Sequence, residues 1–307
     1  MALMNVELRH LRAFVTVART SNFTRAAEEL LVSQPALSYT IRQLEAAIGV
    51  TLFHRTTRST ALTAEGEIFL TESIAVLARF EEALGRVERL TSGELGRLRV
   101  GYLIGAAVDH VPAILRAFAA RYPDVSVDLL EYDFASPNGG IDAEETDVAI
   151  VRPPLYGTSG LVKVSLLDEA RYVCVPESHP FAALDRVALL DVLGEPIVAA
   201  PGDNPWRDYW TLNEHREAPP QVTYEAATFE AEMQAVAYGR GVSVVPAAAA
   251  RLYSHRGVRF VLIEGITPCE VAVVRRVGAP RAAANFARLA AATVTARLAS
   301  VNSPATS

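Results

Sequence analysis

The chain has 307 residues, half of them hydrophobic and about a fifth charged, which is ordinary globular composition with room for two or three domains. It has no apolar run near the roughly 20 residues of a membrane span, no apolar core of a signal peptide at its start, and only two cysteines. These features exclude fibrous, disordered and disulfide-stabilised classes, and they predict a protein of the reducing cytoplasm with no membrane partner.

Charge is distributed unevenly along the chain. The net charge is −6, yet residues 1–62 contain seven arginines and only four glutamates, a charge of +3 that leaves −9 for the remainder. A basic segment can approach phosphates, whereas an acidic body cannot. The distribution therefore favours one local nucleic-acid-binding surface near the N-terminus.

The basic segment has the spacing of three short helices. Apolar residues recur every three or four positions over residues 8–18, which predicts a first helix. Thr24 is expected to cap a second helix, and Ser33 to cap a third, where Pro35 fits the first turn and Gly49 ends the helix. The buried stripe of the third helix is predicted to be Ala36, Leu37, Ile41, Leu44 and Ile48.

The opposite face of the third helix is polar, with Gln34, Ser38, Tyr39 and Arg42. Glutamine can pair with adenine through two hydrogen bonds, and a helix N-terminus favours phosphate. Two short strands are predicted on either side of a basic tip at residues 54–58, whose arginines can reach phosphates or a narrow minor groove. This pattern predicts an all-α winged helix-turn-helix. The alternatives are a small helical domain with solvated arginines and one that binds protein.

The run AFVTVARTSNFTRAAEELLVSQPALSYTIRQLEAAIGVTLFHRTTRSTALTAEGE resembles the N-terminal domain of LysR-type transcriptional regulators almost position for position. Relatives often have arginine where this chain has Tyr39, so we expect a phosphate or thymine-methyl contact there. The resemblance and the helix pattern together predict that the DNA-binding residues are Thr24, Ser33, Gln34, Pro35, Ser38, Tyr39, Arg42, Arg55, Thr57 and Arg58.

A long helix is predicted from Ala64 to about Leu90. Apolar residues follow alternating four- and three-residue steps and form a heptad-like seam, which predicts pairing with a second copy. The alternative is a helix that packs on its own domain. In the LysR family this segment is the linker helix of the dimer. We predict a DNA-binding domain at 1–63, a linker helix and hinge at 64–94, and a further domain at 95–307.

Residues 95–307 alternate short apolar strands with helices, which favours an α/β fold with a mainly parallel sheet. The order resembles the LysR-type effector domain, a two-lobed fold akin to periplasmic solute-binding proteins. The resemblance implies that lobe I spans about 97–160 and 268–300, and lobe II about 161–267. The chain would cross near Gly160–Val164 and return near Gly265–Glu270. Ligand would bind between the lobes.

The candidate effector site departs from the family. Many relatives carry serine or threonine where this chain has the hydroxyl-free run at 103–107, which weakens the hypothesis of a small-acid effector or moves its anchor elsewhere. Arg152 is the alternative anion partner, or it forms a salt bridge. Trp206 and Trp210 are rim or core residues. The predicted effector-binding residues are Ile104, Gly105, Ala106, Arg152, Pro201, Gly202, Asp203, Thr228 and Phe229.

The sequence has no pattern of an enzyme. Its one lysine, Lys163, follows no glycine-rich phosphate loop, and its six histidines lack metal-ligand spacing. Cys174 and Cys269 are expected to be buried small hydrophobes. We therefore predict no catalytic residue, metal or cofactor.

Taken together, the residues and the resemblance predict a homo-oligomeric LysR-type transcription regulator. The resemblance implies a dimer or tetramer that binds double-stranded DNA at an interrupted inverted repeat. A small-molecule effector of unknown identity would control it from the cleft between the lobes. The alternative is an architectural or constitutive DNA-binding oligomer without a ligand.

Overall fold

A computed structural model of the chain describes residues 6–55, 60–157, 159–253 and 256–302. The chain divides into two compact units, Met1–Glu88 and Arg89–Ser307. Within the described ranges, no helix combines the length and the apolar character needed to cross a membrane.

The first unit contains three helices, a two-stranded hairpin and a long helix. In chain order these are α1 (Leu8–Thr20), α2 (Phe23–Glu29), α3 (Gln34–Ile48), β1 (Phe53–Arg55), β2 (Thr60–Leu62) and α4 (Ala64–Thr91). The strands β1 and β2 pair antiparallel, with Phe53 opposite Leu62. The predicted order of helix, helix, helix, hairpin and long helix is therefore present.

The bounds of α3 follow from its end residues. The Ser33 side chain accepts a hydrogen bond from the Ala36 amide at 3.4 Å, and Gly49 ends the helix with a φ of 78°, a conformation that glycine adopts without a steric penalty. Leu37, Ile41 and Leu44 are buried, as predicted. Ala36 is exposed, so its predicted place in the buried stripe is wrong.

The cap of α2 differs from the prediction. Asn22, not Thr24, is the N-cap, since its side-chain oxygen accepts hydrogen bonds from the Thr24 and Arg25 amides at 2.8 and 3.1 Å. The helix starts at Phe23, so Thr24 lies one residue inside it. One carboxamide oxygen serves two of the amide groups that a helix start leaves unpaired.

The hairpin is tied to both neighbouring helices. The Glu45 carboxylate of α3 accepts from the Leu52 amide at 2.9 Å and the Phe53 amide at 3.3 Å. Thr63 accepts from the Gly66 amide at 2.9 Å at the start of α4. Gly66 is required there because a Cβ atom would lie 2.3 Å from the Leu52 carbonyl oxygen.

Most of α4 is exposed within the chain. Of its 28 residues, only Gly66 and Ser73 are buried. A helix of this length spans about 42 Å. Large apolar side chains on its exposed surface include Ile74, Val76, Phe80 and Leu84.

The second unit contains both strands and helices. Its strands are β3 (Leu95–Leu103), β4 (Asp124–Tyr132), β5 (Val148–Val151), β6 (Leu161–Glu169), β7 (Arg171–Pro176), β8 (Arg186–Ala188), β9 (Ile197–Ala199), β10 (Val222–Glu225), β11 (Ser243–Pro246), β12 (Val258–Glu264) and β13 (Cys269–Arg276). Its α-helices are α5 (Val111–Arg121), α6 (Leu189–Leu193), α7 (Pro205–Trp210), α8 (Phe229–Ala237), α9 (Ala247–Leu252) and α10 (Arg281–Asn302).

The strands form two main sheets, one in each lobe. Lobe I contains the order β4-β3-β5-β13-β6, and lobe II contains β11-β7-β12-β8 with the pair β10-β9. The expectation of a mainly parallel sheet is wrong, because β13 runs antiparallel to β5 and β6, and β7 runs antiparallel to β11 and β12. The strands β7 and β13 are the first strands after each crossing between the lobes, and each runs antiparallel to both of its neighbours.

The crossing between lobes also differs from the prediction. The strand β6 pairs with β13 along its whole length, from Leu161 opposite Arg276 to Glu169 opposite Cys269. Because β13 belongs to the lobe I sheet, β6 does too. The chain therefore crosses to lobe II after Glu169, and not near Gly160–Val164.

We predict that Asn22→Ala raises amide hydrogen exchange across α2 about fivefold, because loss of an N-cap costs about 1 kcal/mol. Exchange measured residue by residue in the full chain isolates this helix from the second unit. Asn22→Asp keeps the acceptor oxygen and should exchange like the parent. If Thr24→Ala proves the damaging change instead, the cap assignment fails.

Candidate functional site

The exposed face of α3 brings together most of the residues predicted to contact DNA. Gln34, Pro35, Tyr39 and Arg42 are exposed, and Ser38 is half-buried beside them. The face therefore offers an amide, hydroxyls and a guanidinium, the groups that read base edges and phosphates.

Two side-chain hydrogen bonds organise this face along the helix. Gln34 donates through Nε2 to Ser38 Oγ at 3.0 Å, and Gln43 donates through Nε2 to the Tyr39 hydroxyl at 3.1 Å. Each pair is four residues apart, which puts the partners on adjacent turns. The bonded polar atoms therefore form two rows along the helix, one at Gln34 and Ser38 and the other at Tyr39 and Gln43.

The remaining predicted DNA-binding residues lie at the edges of this face or beyond the described chain. Ser33 and Thr24 are exposed, at the start of α3 and in the first turn of α2. Arg55 is the last residue of β1. Thr57 and Arg58 lie outside the described residues.

The second unit has a cavity between its lobes. Lobe I contributes Leu103, Ile104, Gly105, Phe134 and Arg152 to its walls. Lobe II contributes strand ends, two residues of α8, the two tryptophans of α7, and residues on or beside α7 and α9. These lobe II residues are Val198, Ala199, Ala200, Trp206, Trp210, Thr211, Phe229, Glu232, Ser243, Val244, Val245, Pro246, Ala249 and Tyr253.

The cavity includes only some of the predicted effector residues. Ile104, Gly105, Arg152 and Phe229 line it, whereas Ala106, Pro201, Gly202, Asp203 and Thr228 do not. Ala106 is fully buried in the lobe core. Gly202 and Asp203 are exposed. The Thr228 hydroxyl caps α8 by accepting from the Ala231 amide at 3.2 Å.

Arg152 is buried in an ion pair. Its guanidinium donates to the Glu169 carboxylate and to the Gly105 carbonyl oxygen, the latter at 2.9 Å. The other Glu169 oxygen accepts from Arg251 at 3.2 Å, and Arg251 also donates to Asp109 at 2.9 Å. The structure therefore favours the salt-bridge interpretation of Arg152, and the network joins α9 of lobe II to lobe I.

A second arginine holds the two crossing segments side by side. Arg171, just after the first crossing, donates to the Thr267 carbonyl oxygen at 2.9 Å and to the Thr267 hydroxyl at 3.1 Å. Its guanidinium lies 4.1 Å from the centre of the Tyr209 ring. Both crossings are thus tied at one point, and α7 packs against that point.

Glu232 is a buried acid of the cavity wall that the sequence analysis missed. Burial raises its pKa to about 8, and Ser243 donates a hydrogen bond to it. A carboxyl with this pKa is mostly protonated at neutral pH. The sequence does carry a signal, since Phe229, Glu232, Met233 and Val236 follow the spacing of one apolar helix face.

The aromatic side of the cavity joins both lobes. Trp206 and Trp210 are both buried, and Trp206 donates through Nε1 to the Arg152 carbonyl oxygen at 3.0 Å. Phe134 lies 5.4 Å from Trp206 between ring centres, and its amide donates to the Ala227 carbonyl oxygen at 3.0 Å. The segment that follows β4 therefore borders the cleft.

The other candidate groups lie away from solvent. Cys174 and Cys269 are fully buried, and burial raises the pKa of both thiols. Across the described ranges no cluster of histidine, cysteine, aspartate and glutamate has the geometry to hold a metal ion.

Comparison with known families matches both units. Residues 8–67 match the model described as "Bacterial regulatory helix-turn-helix protein, lysR family", and residues 91–294 match the "LysR substrate binding domain". The chain belongs to the LysR family. It is a LysR-type DNA-binding transcriptional regulator with an effector-binding domain.

Individual members of the LysR family are similar in sequence to this chain along most of its length. The transcriptional regulator AlsR of Bacillus subtilis is 30% identical over 252 residues, 81% of this chain and 83% of that protein. The Hca operon transcriptional activator HcaR of Escherichia coli is 35% identical over 247 residues, 78% of this chain and 82% of that protein. These relatives are regulators and not enzymes.

Solved LysR structures show the same fold. Full-length CbnR in complex with its target DNA has a TM-score of 0.61 at 25% identity, and the match covers 94% of this chain and 100% of CbnR. The prediction of a winged helix-turn-helix joined to a two-lobed α/β domain is confirmed.

We predict that Glu232→Gln makes the regulator's stability less dependent on pH. The folded-state pKa of about 8 lies above the ordinary 4.5, so the unfolded state releases a proton first and stability falls as pH rises between these values. The melting temperature of the variant minus that of the parent should therefore increase from pH 5 to pH 8. The exposed Glu217→Gln is the matched control, and parallel curves for Glu232→Gln and the parent would refute the assignment.

Proposed function

We propose that this LysR-type regulator reads its operator through the exposed face of α3 and binds a small-molecule effector in the cleft of its second unit. The effector shifts the regulator between arrangements that differ in DNA affinity, and no catalytic step is involved. It acts in the cytoplasm as a dimer or tetramer on an interrupted inverted repeat. The observation that carries the proposal is the set of exposed polar side chains on α3, a helix with defined ends.

The chemistry of α3 supports base reading. Gln34 offers both a donor and an acceptor, which suits adenine, and its bond to Ser38 limits the freedom lost on binding. Arg42, two turns further along, supplies a charge for phosphate. Tyr39 cannot make the two-pronged arginine contact with guanine, so we expect different base preferences from relatives with arginine.

The cleft is suited to sensing because its walls come from both lobes. Arg152 touches the cavity, the Glu169 network and Trp206 of lobe II at once. A ligand that contacts these groups in one lobe arrangement more favourably than in another shifts the balance between them.

Pairing of two copies through α4 is supported by its exposed apolar residues. Ile74, Val76, Phe80 and Leu84 are each more than a third exposed within the chain. Exposed apolar rows on a helix are typical of a helix–helix interface. Pairing of this kind would give the regulator two recognition helices.

One observation favours the alternative of a constitutive DNA-binding oligomer. The cavity has a volume of about 40 Å³, room for about three water molecules. An effector must therefore open the cleft or rearrange its side chains, whereas a regulator without a ligand would keep it closed.

For α3, the probe is an operator duplex that the parent protein selects from random sequences. We predict that Gln34→Ala lowers the affinity for this duplex about tenfold, because a paired amide contributes about 1–3 kcal/mol of base discrimination. Affinity for random duplexes should hold. Arg42→Ala should weaken both and reduce the salt dependence by about one charge. Fluorescence anisotropy at fixed salt measures this, with Gln221→Ala of the second unit as the control.

An equal loss on selected and random duplexes for Gln34→Ala would refute base reading by this residue. If Gln34→Ala and Arg42→Ala both bind the selected and the random duplexes as tightly as the parent, α3 is not part of the DNA interface.

For the cleft, we predict that Ala200→Phe abolishes the rise in melting temperature that an effector causes, since the added ring fills the cavity. A ligand specific to the folded state must raise the melting temperature, so a metabolite screen by thermal shift on the parent finds the probe. Leu190→Phe, at an exposed position of the same lobe, is the control.

A screening hit that shifts Ala200→Phe as much as the parent binds elsewhere. A broad screen without any hit, together with unchanged DNA affinity, would favour the constitutive alternative.

A further inference from the structure

One side chain of the cleft wall carries a hydrogen-bond donor that has no partner in the part of the chain that the structure describes. The indole Nε1 of Trp210 is buried and has no partner among the described residues, although Trp210 lines the cavity. Trp206 beside it, with ring centres 5.9 Å apart, has its own Nε1 bonded to Arg152. An unpaired buried donor costs free energy that a suitable ligand atom recovers.

The charged groups of the cavity are already neutralised. Arg152 is the one basic side chain among the described lining residues, and its guanidinium is committed to Glu169 and Gly105. Glu232 is the one acidic side chain among them, its burial keeps it mostly protonated at neutral pH by raising its pKa to about 8, and Ser243 donates a hydrogen bond to it. A ligand in this cleft therefore meets no unpaired charge of either sign.

The walls of the cavity include five aromatic side chains. Phe134, Trp206 and Trp210 form one group of rings, and Phe229 and Tyr253, with centres 4.3 Å apart, form another. Rings of this kind pack best against flat ligands in offset or edge-on contact.

From these three observations we infer that the effector is an uncharged, flat molecule with a hydrogen-bond acceptor such as a carbonyl oxygen, which Trp210 Nε1 binds. The inference rests on the proposed effector function of the same cleft and specifies the class of ligand. It makes Trp210 the specificity-determining residue.

The two charged classes fit less well. A carboxylate would need Arg152 to leave Glu169, and it would approach the buried carboxyl of Glu232. An ammonium group has only donors, so it cannot satisfy Trp210 Nε1. A purely apolar ligand leaves that donor unpaired.

The experiment compares four probes with the same phenyl ring on the full-length protein. Acetophenone is the neutral acceptor, ethylbenzene its analogue without an acceptor, benzoate the anion and 1-phenylethylamine the cation. We expect acetophenone to bind about fivefold tighter than ethylbenzene, which is the gain from one neutral hydrogen bond, and tighter than either ion. Isothermal titration and thermal shift give the affinities.

Two matched variants separate the hydrogen bond from ring packing. Trp210→Phe keeps a ring and loses the donor, so the ratio between acetophenone and ethylbenzene should fall to about one. Trp206→Phe loses an N–H that the protein already uses, so it should weaken both probes and keep their ratio. Circular dichroism confirms that both variants fold.

Tightest binding by benzoate, a ratio that survives Trp210→Phe, or no binding of acetophenone up to its solubility limit would each overturn the inference. If a charged metabolite raises the melting temperature and Ala200→Phe blocks it, the proposed function stands and only this inference fails. If no compound of any class binds, both fail.

Discussion

The buried ion pair between Arg152 and Glu169 is the interaction on which the second unit depends. Burying two charges is costly unless every polar atom finds a partner, and here Gly105 and Arg251 supply the remaining bonds. Arg152 also lines the cleft, and its carbonyl oxygen accepts a hydrogen bond from the Trp206 indole N–H. The side chains of Arg152 and Glu169 therefore contact the cavity wall, the strand that precedes the first crossing, and residues of both lobes.

The sequence predicted the first unit well because its helices are defined by neighbouring residues. Ser33 and Gly49 set the ends of α3 through hydrogen bonds to residues no more than four positions away. Such short-range contacts can be predicted from the order of residues in the sequence. The error at Thr24 is of the same local kind, since Asn22 is also a capping residue and stands two positions earlier. A choice between adjacent caps depends on backbone angles that composition does not determine.

The cleft was predicted less well because its chemistry depends on distant pairs. Nothing near Arg152 in the sequence indicates that Glu169 is its partner, so the sequence favours an anion-binding role for a guanidinium that the structure places in an ion pair. The prediction of strand direction failed for a related reason, since the residues of β13 pair with residues of β6 that lie 100 to 115 positions earlier in the chain. Glu232 alone left a local trace, as an acid within the apolar face of α8.

The close contact between Gly66 and Leu52 has a consequence for geometry further along α4. The absence of a Cβ lets the helix backbone sit against the hairpin, which fixes the rotation of the helix about its own axis at its first turn. Each added residue turns an α-helix by about 100°. The angle about the helix axis between α3 and the apolar residues at Ile74–Leu84 is thus set by the number of residues between them. If two copies pair through α4 as proposed, a one-residue insertion between Gly66 and Ile74 would turn each α3 in a new direction and leave the contacts among α1, α2, α3 and the hairpin intact.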